Sequence, residues 1–465
     1  SIDYRELFPA VRVKSIFQAI EEKYNVSFLG NFLTDKRFTE LFLFAKNSEK
    51  LLIQSTLSTV DLVSNTGSDR GYFTVDFTEN TVTYHGHLED DDYGRLLDVL
   101  ITVPDGTTYE LQIFKDGDLI QTINSTETTS YRIVSDFGID DIGVGTYSFK
   151  IASTDVANTL VVISTEAVNA MWTDSMTIST SLTSSGTLDI AKQMPDIKVS
   201  DFFSGILKMF NLTAYSENEN EYNIEPLEDW YNAGVIRDIT KYVNLDGEIS
   251  RAPFYKVMNF QYEKGESLIN RAFADTFQRE YGDLKYTFDV ESDGDEYTIK
   301  LPFENLMHQK FSGTKLHVGY CLKSDLKPYV PKPILLYKYG NINTDVNFYL
   351  EGVARTSYNA FGQDIEKVTN EFHSLNWGLE NSTLLNGVVE NTLFSDYYLS
   401  YLSNIYNRKS RIIKIEGVAD TYLMSVLKLN DRVVIRDKRY VINNIQTELN
   451  TGKINLELLT DFREI

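Results

Sequence analysis

A mainly β fold divided among several domains, with α+β repeat units set between the strands, is predicted by three features of this chain. Tyr, Phe, Thr, Val and Ile are plentiful, and these residue types suit pleated, half-buried surfaces. Strand–turn–strand patterns recur from the first third of the chain to its end. One block, an amphipathic helical stripe followed by a short strand, occurs twice. The 465 residues are enough for about two to four domains, each with its own core.

The repeated block runs from Pro9 to Ser27 and again from Pro195 to Thr213. The copies align without a gap: Pro9 falls on Pro195, Val13 on Val199, Phe17 on Phe203, Ile20 on Ile206 and Asn25 on Asn211. Val13, Ile16, Phe17, Ile20 and Tyr24 recur at helical spacing, as do Val199, Phe202, Phe203, Ile206 and Phe210. Each stripe is expected to face a core and to leave a polar face outside. Asn25 and Asn211 can take the left-handed conformation that ends a helix. Shared flanks at both ends favour duplication over chance likeness.

Between the copies, from Tyr72 to Ile163, the texture changes to Thr, Asp, Gly and alternating apolar positions. Tyr109 to Phe114, the turn Lys115-Asp116-Gly117-Asp118, and Leu119 to Ile123 spell strand, turn, strand. Tyr147, after Gly143 and Gly145, matches the tyrosine-bearing corner of immunoglobulin-like sandwiches. An inserted Ig-like β-sandwich is expected over 71–165, with the Ser/Thr-rich run 179–187 as its exit linker or an exposed strand. It separates a first α+β repeat segment, 1–70, from a second repeat with mixed β structure, 166–330. In that stretch the stripe Leu268, Ala272, Phe273, Phe277 and Tyr281 reads as a helix closed by Gly282. Tyr286 to Val290 and Tyr297 to Leu301 read as a hairpin across Ser292-Asp293-Gly294-Asp295. The last domain, 331–465, combines a helix at 394–406 with a strand-rich end expected to form a meander or small β-barrel.

Net charge is −23, with a pI near 4.7. Such a surface repels phosphates and argues against sequence-independent nucleic-acid binding, although high charge also simply keeps a protein soluble. Cys321 stands alone, so no internal disulfide and no cysteine-based zinc site can be built. No run reaches the roughly 18 apolar residues of a membrane helix, and no basic leader precedes an apolar block. The chain opens at Ser1 without Met, which is expected of a piece of something longer.

Catalytic motifs are missing: there is no Gly-x-Ser-x-Gly elbow, no His-Glu-x-x-His and no phosphate loop. The expectation is therefore a protein that is not an enzyme and that needs no cofactor. The sharpest metal candidate is His85, His87 and Glu89, which share one side of a strand. Three ligands from one short strand do not complete a site, so no metal is assigned. Asp289 to Gly294 imitates a calcium loop, but Lys300 stands where the bidentate Glu belongs, and a turn is the simpler account. His308, His317 and His373 stand isolated in sequence and read as structural. The sharpest interface candidate is the aromatic stripe Phe394, Tyr397, Tyr398, Tyr401, Leu402 and Tyr406. It holds more apolar area than one side of a helix buries within its own domain.

Several blocks together resemble the hub or tail-tip structural proteins of tailed phages. They are the Pro-x-Val-Arg-Val-Lys helical start with Asn31-Phe32 and Phe38-Thr-Glu-Leu-Phe-Leu43, then Tyr222-Asn-Ile-Glu-Pro-Leu-Glu-Asp-Trp230 and Asp238-Ile-Thr-Lys241. Further on come Ser374-Leu-Asn-Trp-Gly-Leu-Glu380, Asn391-Thr-Leu-Phe-Ser-Asp-Tyr-Tyr398, Leu427-Lys-Leu-Asn-Asp-Arg-Val-Val-Ile435, Tyr440-Val-Ile442 and Thr451-Gly452. The blocks span about two thirds of the chain, leave out the inserted module, and carry packing and turn residues rather than catalytic ones. The resemblance implies a virion protein made in the host cytoplasm that forms a ring around the tail axis, and the aromatic stripe at 394–406 adds the expectation of closed symmetry, a trimer before a hexamer. Its implied partners are copies of itself and the tail tube, baseplate or fibre proteins, with DNA only passing through the channel and no membrane insertion. A carbohydrate-binding surface or receptor-binding protein is the rival expectation, and a tail-associated hydrolase the third.

Overall fold

A computed structural model describes residues 6–463 except 50, 52–53, 87–93, 138–142, 156–157, 183–185, 253, 290–295, 312–313 and 351–352. Strands take 49% of the chain and helices 18%, so the fold is mainly β. It divides into two compact units, Ser1–Leu51 with Gln193–Ile465, and Leu52–Lys192.

The first unit is organised on a seven-stranded sheet. Leu41–Phe44 lies between Ala10–Arg12 and Ile334–Leu350, and Tyr297–Glu304, Val257–Glu263 and Leu284–Thr287 follow in that order. Val353–Gly362 pairs with the far part of Ile334–Leu350. Helices Val13–Tyr24 and Val199–Met209 share this unit's core, which also holds Phe260, Phe303 and the fully buried Trp377. Both helices end where an asparagine takes φ > 0, 52° at Asn25 and 46° at Asn211, and each then leads into a strand. Phe203 packs on Phe17 and Phe28, at 5.4 and 5.2 Å between ring centres. Ser27–Leu29 runs parallel to Glu221–Pro226. Gly30 closes that strand at φ 123°, where a Cβ would come within 2.2 Å of the Ile224 carbonyl oxygen, so only glycine fits. Tyr24 and Val199 depart from the predicted stripes, since both are exposed at the helix ends.

Three expectations for this unit are corrected. The strands on either side of residues 290–295 do not form a hairpin: Leu284–Thr287 and Tyr297–Glu304 flank Val257–Glu263 on opposite sides. A boundary at 330/331 does not separate domains, because Ile334–Leu350 is a central strand of the sheet that also holds Leu41–Phe44. The C-terminal strands form an open six-stranded sheet instead of a barrel. Arg432–Ile435, Lys438–Glu448, Lys453–Thr460 and Arg411–Val418 are flanked by Ile236–Asp238 and Glu248–Arg251, and among the described residues no pairing joins those two edges.

The second unit has ten strands around one core that includes Leu97, Val99, Leu111, Ile113, Phe149, Ile151, Val161 and Ile163. These positions alternate along their strands, so each strand turns one face to that core. Ser58–Gly67 joins the layers, since its start pairs with Gly145–Ser153 and its remainder with Thr173–Leu182. The unit is therefore wider than 71–165, and the run from Ser179 is strand to Leu182. Asp116 and Gly117 both take φ > 0 in the turn between Tyr109–Lys115 and Asp118–Ser125, as the sequence predicts. The Tyr147 hydroxyl donates to the Gly143 carbonyl.

Excising 52–192 is expected to leave a folded first unit. Within that unit, the Ser48 hydroxyl and the buried Gln193 amide oxygen lie 3.3 Å apart, so a short Gly-Ser linker can rejoin the chain without strain. The check is calorimetry of the excised protein, which should give one cooperative transition. An aggregated product would show that the two units share a core.

Candidate assembly surface

The aromatic stripe expected at an interface is core. Phe394–Tyr398 forms one turn of π-helix that continues into the α-helix Leu399–Ile405. Phe394, Tyr397, Tyr398 and Leu402 are buried within the first unit, and Tyr401 and Tyr406 pack partly buried against the same cluster. Phe260 meets both Phe394 and Tyr398, at 5.3 and 5.1 Å. Tyr397 contacts Phe32 and Phe210, and Tyr406 stacks on Phe288 at 3.9 Å. Burial pushes the Tyr401 hydroxyl up to about 12. The extra residue of the π turn offsets successive rings, so side chains on most faces find neighbours in their own domain. The argument that this segment has surplus area for another subunit is thereby corrected.

Of the metal candidates, only His85 lies among the described residues. His85 is exposed, and its Nε2 lies 2.8 Å from the Thr74 hydroxyl, while His87 and Glu89 lie outside the described residues. Among the described residues no group of three or more His, Cys, Asp or Glu could hold a metal ion. Burial pushes the Cys321 thiol up to about 12, which suits a small packing residue rather than a thiolate nucleophile. Burial likewise lowers His317 to about 4. His373 is isolated only in sequence. Its ring nitrogens lie 2.6 Å from Asp396 and 2.8 Å from Glu371, and Asp396 also meets Arg37 at 3.3 Å. This polar chain fastens the π turn to the N-terminal segment.

The surface that the sequence did not flag is a ribbon. Over its first residues, Ile334–Leu350 pairs with Leu41–Phe44 and is buried. Beyond Lys338 its partner in the sheet is Val353–Gly362, so two strands continue past the sheet. Val346, Tyr349 and Val353 are 46%, 49% and 52% exposed there. At the base, the Tyr358 hydroxyl donates to the Lys315 carbonyl and accepts from the His317 N–H, and Lys315 pairs with Asp345 at 2.9 Å. The register slips between Asn343 and Phe348, as it does at a bulge. The sequence signal was available: from Tyr339 to Tyr358 only Asp345, Glu351 and Arg355 are charged, and β-branched or aromatic residues recur throughout.

The ribbon offers backbone edges and apolar side chains, and an isolated two-stranded ribbon is marginal in water until something covers it. Comparison of the chain with family models, curated proteins and solved structures finds no match.

Proposed function

We propose that this protein is a non-enzymatic structural component of a phage tail hub or tail tip. It assembles in a ring around the tail axis, a trimer before a hexamer, and links the tube to baseplate or fibre proteins. The observation that carries the reading is the exposed ribbon of Ile334–Leu350 and Val353–Gly362, which presents Val346, Tyr349 and Val353 where its own chain leaves it uncovered. Closed cyclic symmetry is the usual outcome when identical chains share such a patch. The resemblance carried by the Pro9–Lys14, Tyr222–Trp230 and Ser374–Glu380 blocks supplies the tail context. In this reading the two helix-then-strand units are products of a duplication, and the second unit is an immunoglobulin-like insertion.

The test is mass measurement of the full-length protein at several concentrations, together with images of the assembled particle. A ring at the tail axis is expected. A full-length protein that stays monomeric and is absent from the axis would sink the assignment. Turnover of a glycan substrate, abolished by one Asp or Glu substitution, would replace it with a hydrolase.

A further inference from the structure

The charge of this chain is concentrated in one unit. Residues 52–192 contain 21 Asp and Glu against 6 Lys and Arg, a net of −15 out of −23 for the whole chain. The same unit has an open edge. Asp118–Ser125 is the last strand of its layer, hydrogen-bonded to Tyr109–Lys115 on one side and, among the described residues, to no strand on the other. Native proteins guard such edges with lysine, proline or a very short strand. This one is eight residues long, contains neither Lys nor Pro, and leaves Leu119 and Ile120 each 51% exposed. The register slip between Leu119 and Gln121, which turns Ile120 out of the ladder, and the exposed charge of Asp118 at its start are its protective devices.

The surroundings of the edge choose the partner. Asp116 and Asp118 are exposed at its beginning and Glu127 just past its end, while Glu110 lies opposite Asn124 on the neighbouring strand. A groove of about 600 Å³ at the far end is lined by Glu110, Asn124, Ser125, Glu127 and Thr154, and no cation is among its lining residues. A second copy pairing antiparallel along this edge would set carboxylates against carboxylates, which is unfavourable. A strand with apolar alternate positions and Lys or Arg at its ends gains both the open backbone bonds and the charge match.

We propose that Asp118–Ser125 is a docking edge for an extended, basic-flanked segment of a partner protein, added as a further strand to the sandwich. The proposal stands on this unit alone and holds whichever assembly the rest of the chain joins.

The experiment uses the full chain and two labelled peptides, KKTVTVTVKK and its glutamate-flanked counterpart, followed by fluorescence anisotropy. The lysine-flanked peptide should bind about tenfold or more tighter at low salt, and the advantage should shrink in high salt, where charges are screened. Ile120→Lys should weaken its binding about tenfold, and the double variant Asp118→Asn with Glu127→Gln about threefold, each with the unit's melting unchanged. Equal binding of the two peptides, binding of neither, or an Ile120→Lys protein that binds normally would overturn the proposal. Self-association of the wild type that Ile120→Lys abolishes would also overturn it, by making the occupant a second copy.

Discussion

Trp377→Ala is expected to destabilise the first unit by about 3–5 kcal/mol, the cost of a large cavity at a fully buried aromatic. Trp377 lies at the meeting point of three segments. Its ring is 5.0 Å from Phe260 on the sheet and 5.5 Å from Tyr398 on the π turn, and its backbone N–H donates to Gly282 at 2.8 Å. Phe260 and Tyr398 are themselves held by each other, and Phe260 also by Phe394, which limits how far they can collapse into the space. For a unit of this size the loss corresponds to a fall of roughly 6 °C in melting temperature. Calorimetry should show this transition moving while that of residues 52–192 stays in place. A shift of both transitions together would mean that the two units unfold as one. Trp377→Phe should lose much less, since the indole N–H makes no hydrogen bond in the fold.

Asp283→Asn is expected to stabilise the protein above neutral pH and to flatten its pH dependence. Burial pushes the Asp283 carboxyl up to about 7, with Glu280 and Glu380 adding to the effect, against the Tyr262 N–H and Arg279. The folded state therefore holds a proton that the unfolded chain releases near pH 4. Its contribution is fully present below about pH 4 and is lost as pH rises through about 7, an effect on the order of 4 kcal/mol. An asparagine oxygen can still accept from the Tyr262 N–H, which now donates to Asp283 at 3.0 Å. Urea melts at pH 5 and pH 8 check this: the wild type should lose stability between them by more than the variant does. Parallel losses in the two proteins would remove Asp283 as the cause.

Much of the local structure was legible because its causes act within a few residues. The stripes at Val13, Phe17, Ile20 and at Phe202, Ile206, Phe210 became buried helix faces, and Asn25 and Asn211 ended those helices as their tolerance of left-handed φ allows. The Asp116-Gly117 turn formed where the sequence placed it. The helix from Leu268 was read with the right extent at its start but the wrong face. It ends at Phe277 with Gln278 left-handed instead of Gly282, and its buried residue is Asn270, whose amide donates to the Asn305 carbonyl while Phe277 is exposed. A buried amide with its partners satisfied can thus outweigh an apolar stripe, and periodicity alone does not reveal the partners.

What the sequence by itself determined was the strand-rich class, the caps, the tight turns and the alternation of inward and outward positions. Alternation names the face a strand buries, not the strand beside it. Pairing was decided by competition between segments far apart in the chain, so Leu41–Phe44 found Ile334–Leu350, and Tyr297–Glu304 joined Val257–Glu263 in parallel instead of closing a hairpin. The candidate site divides the same way. The aromatic wealth of residues 394–406 was visible in the sequence, but only the packed structure turned it inward, because rings from the sheet and the N-terminal segment were there to meet it. The ribbon and the open edge became surfaces for the opposite physical reason: no other described strand of the chain arrives to cover them.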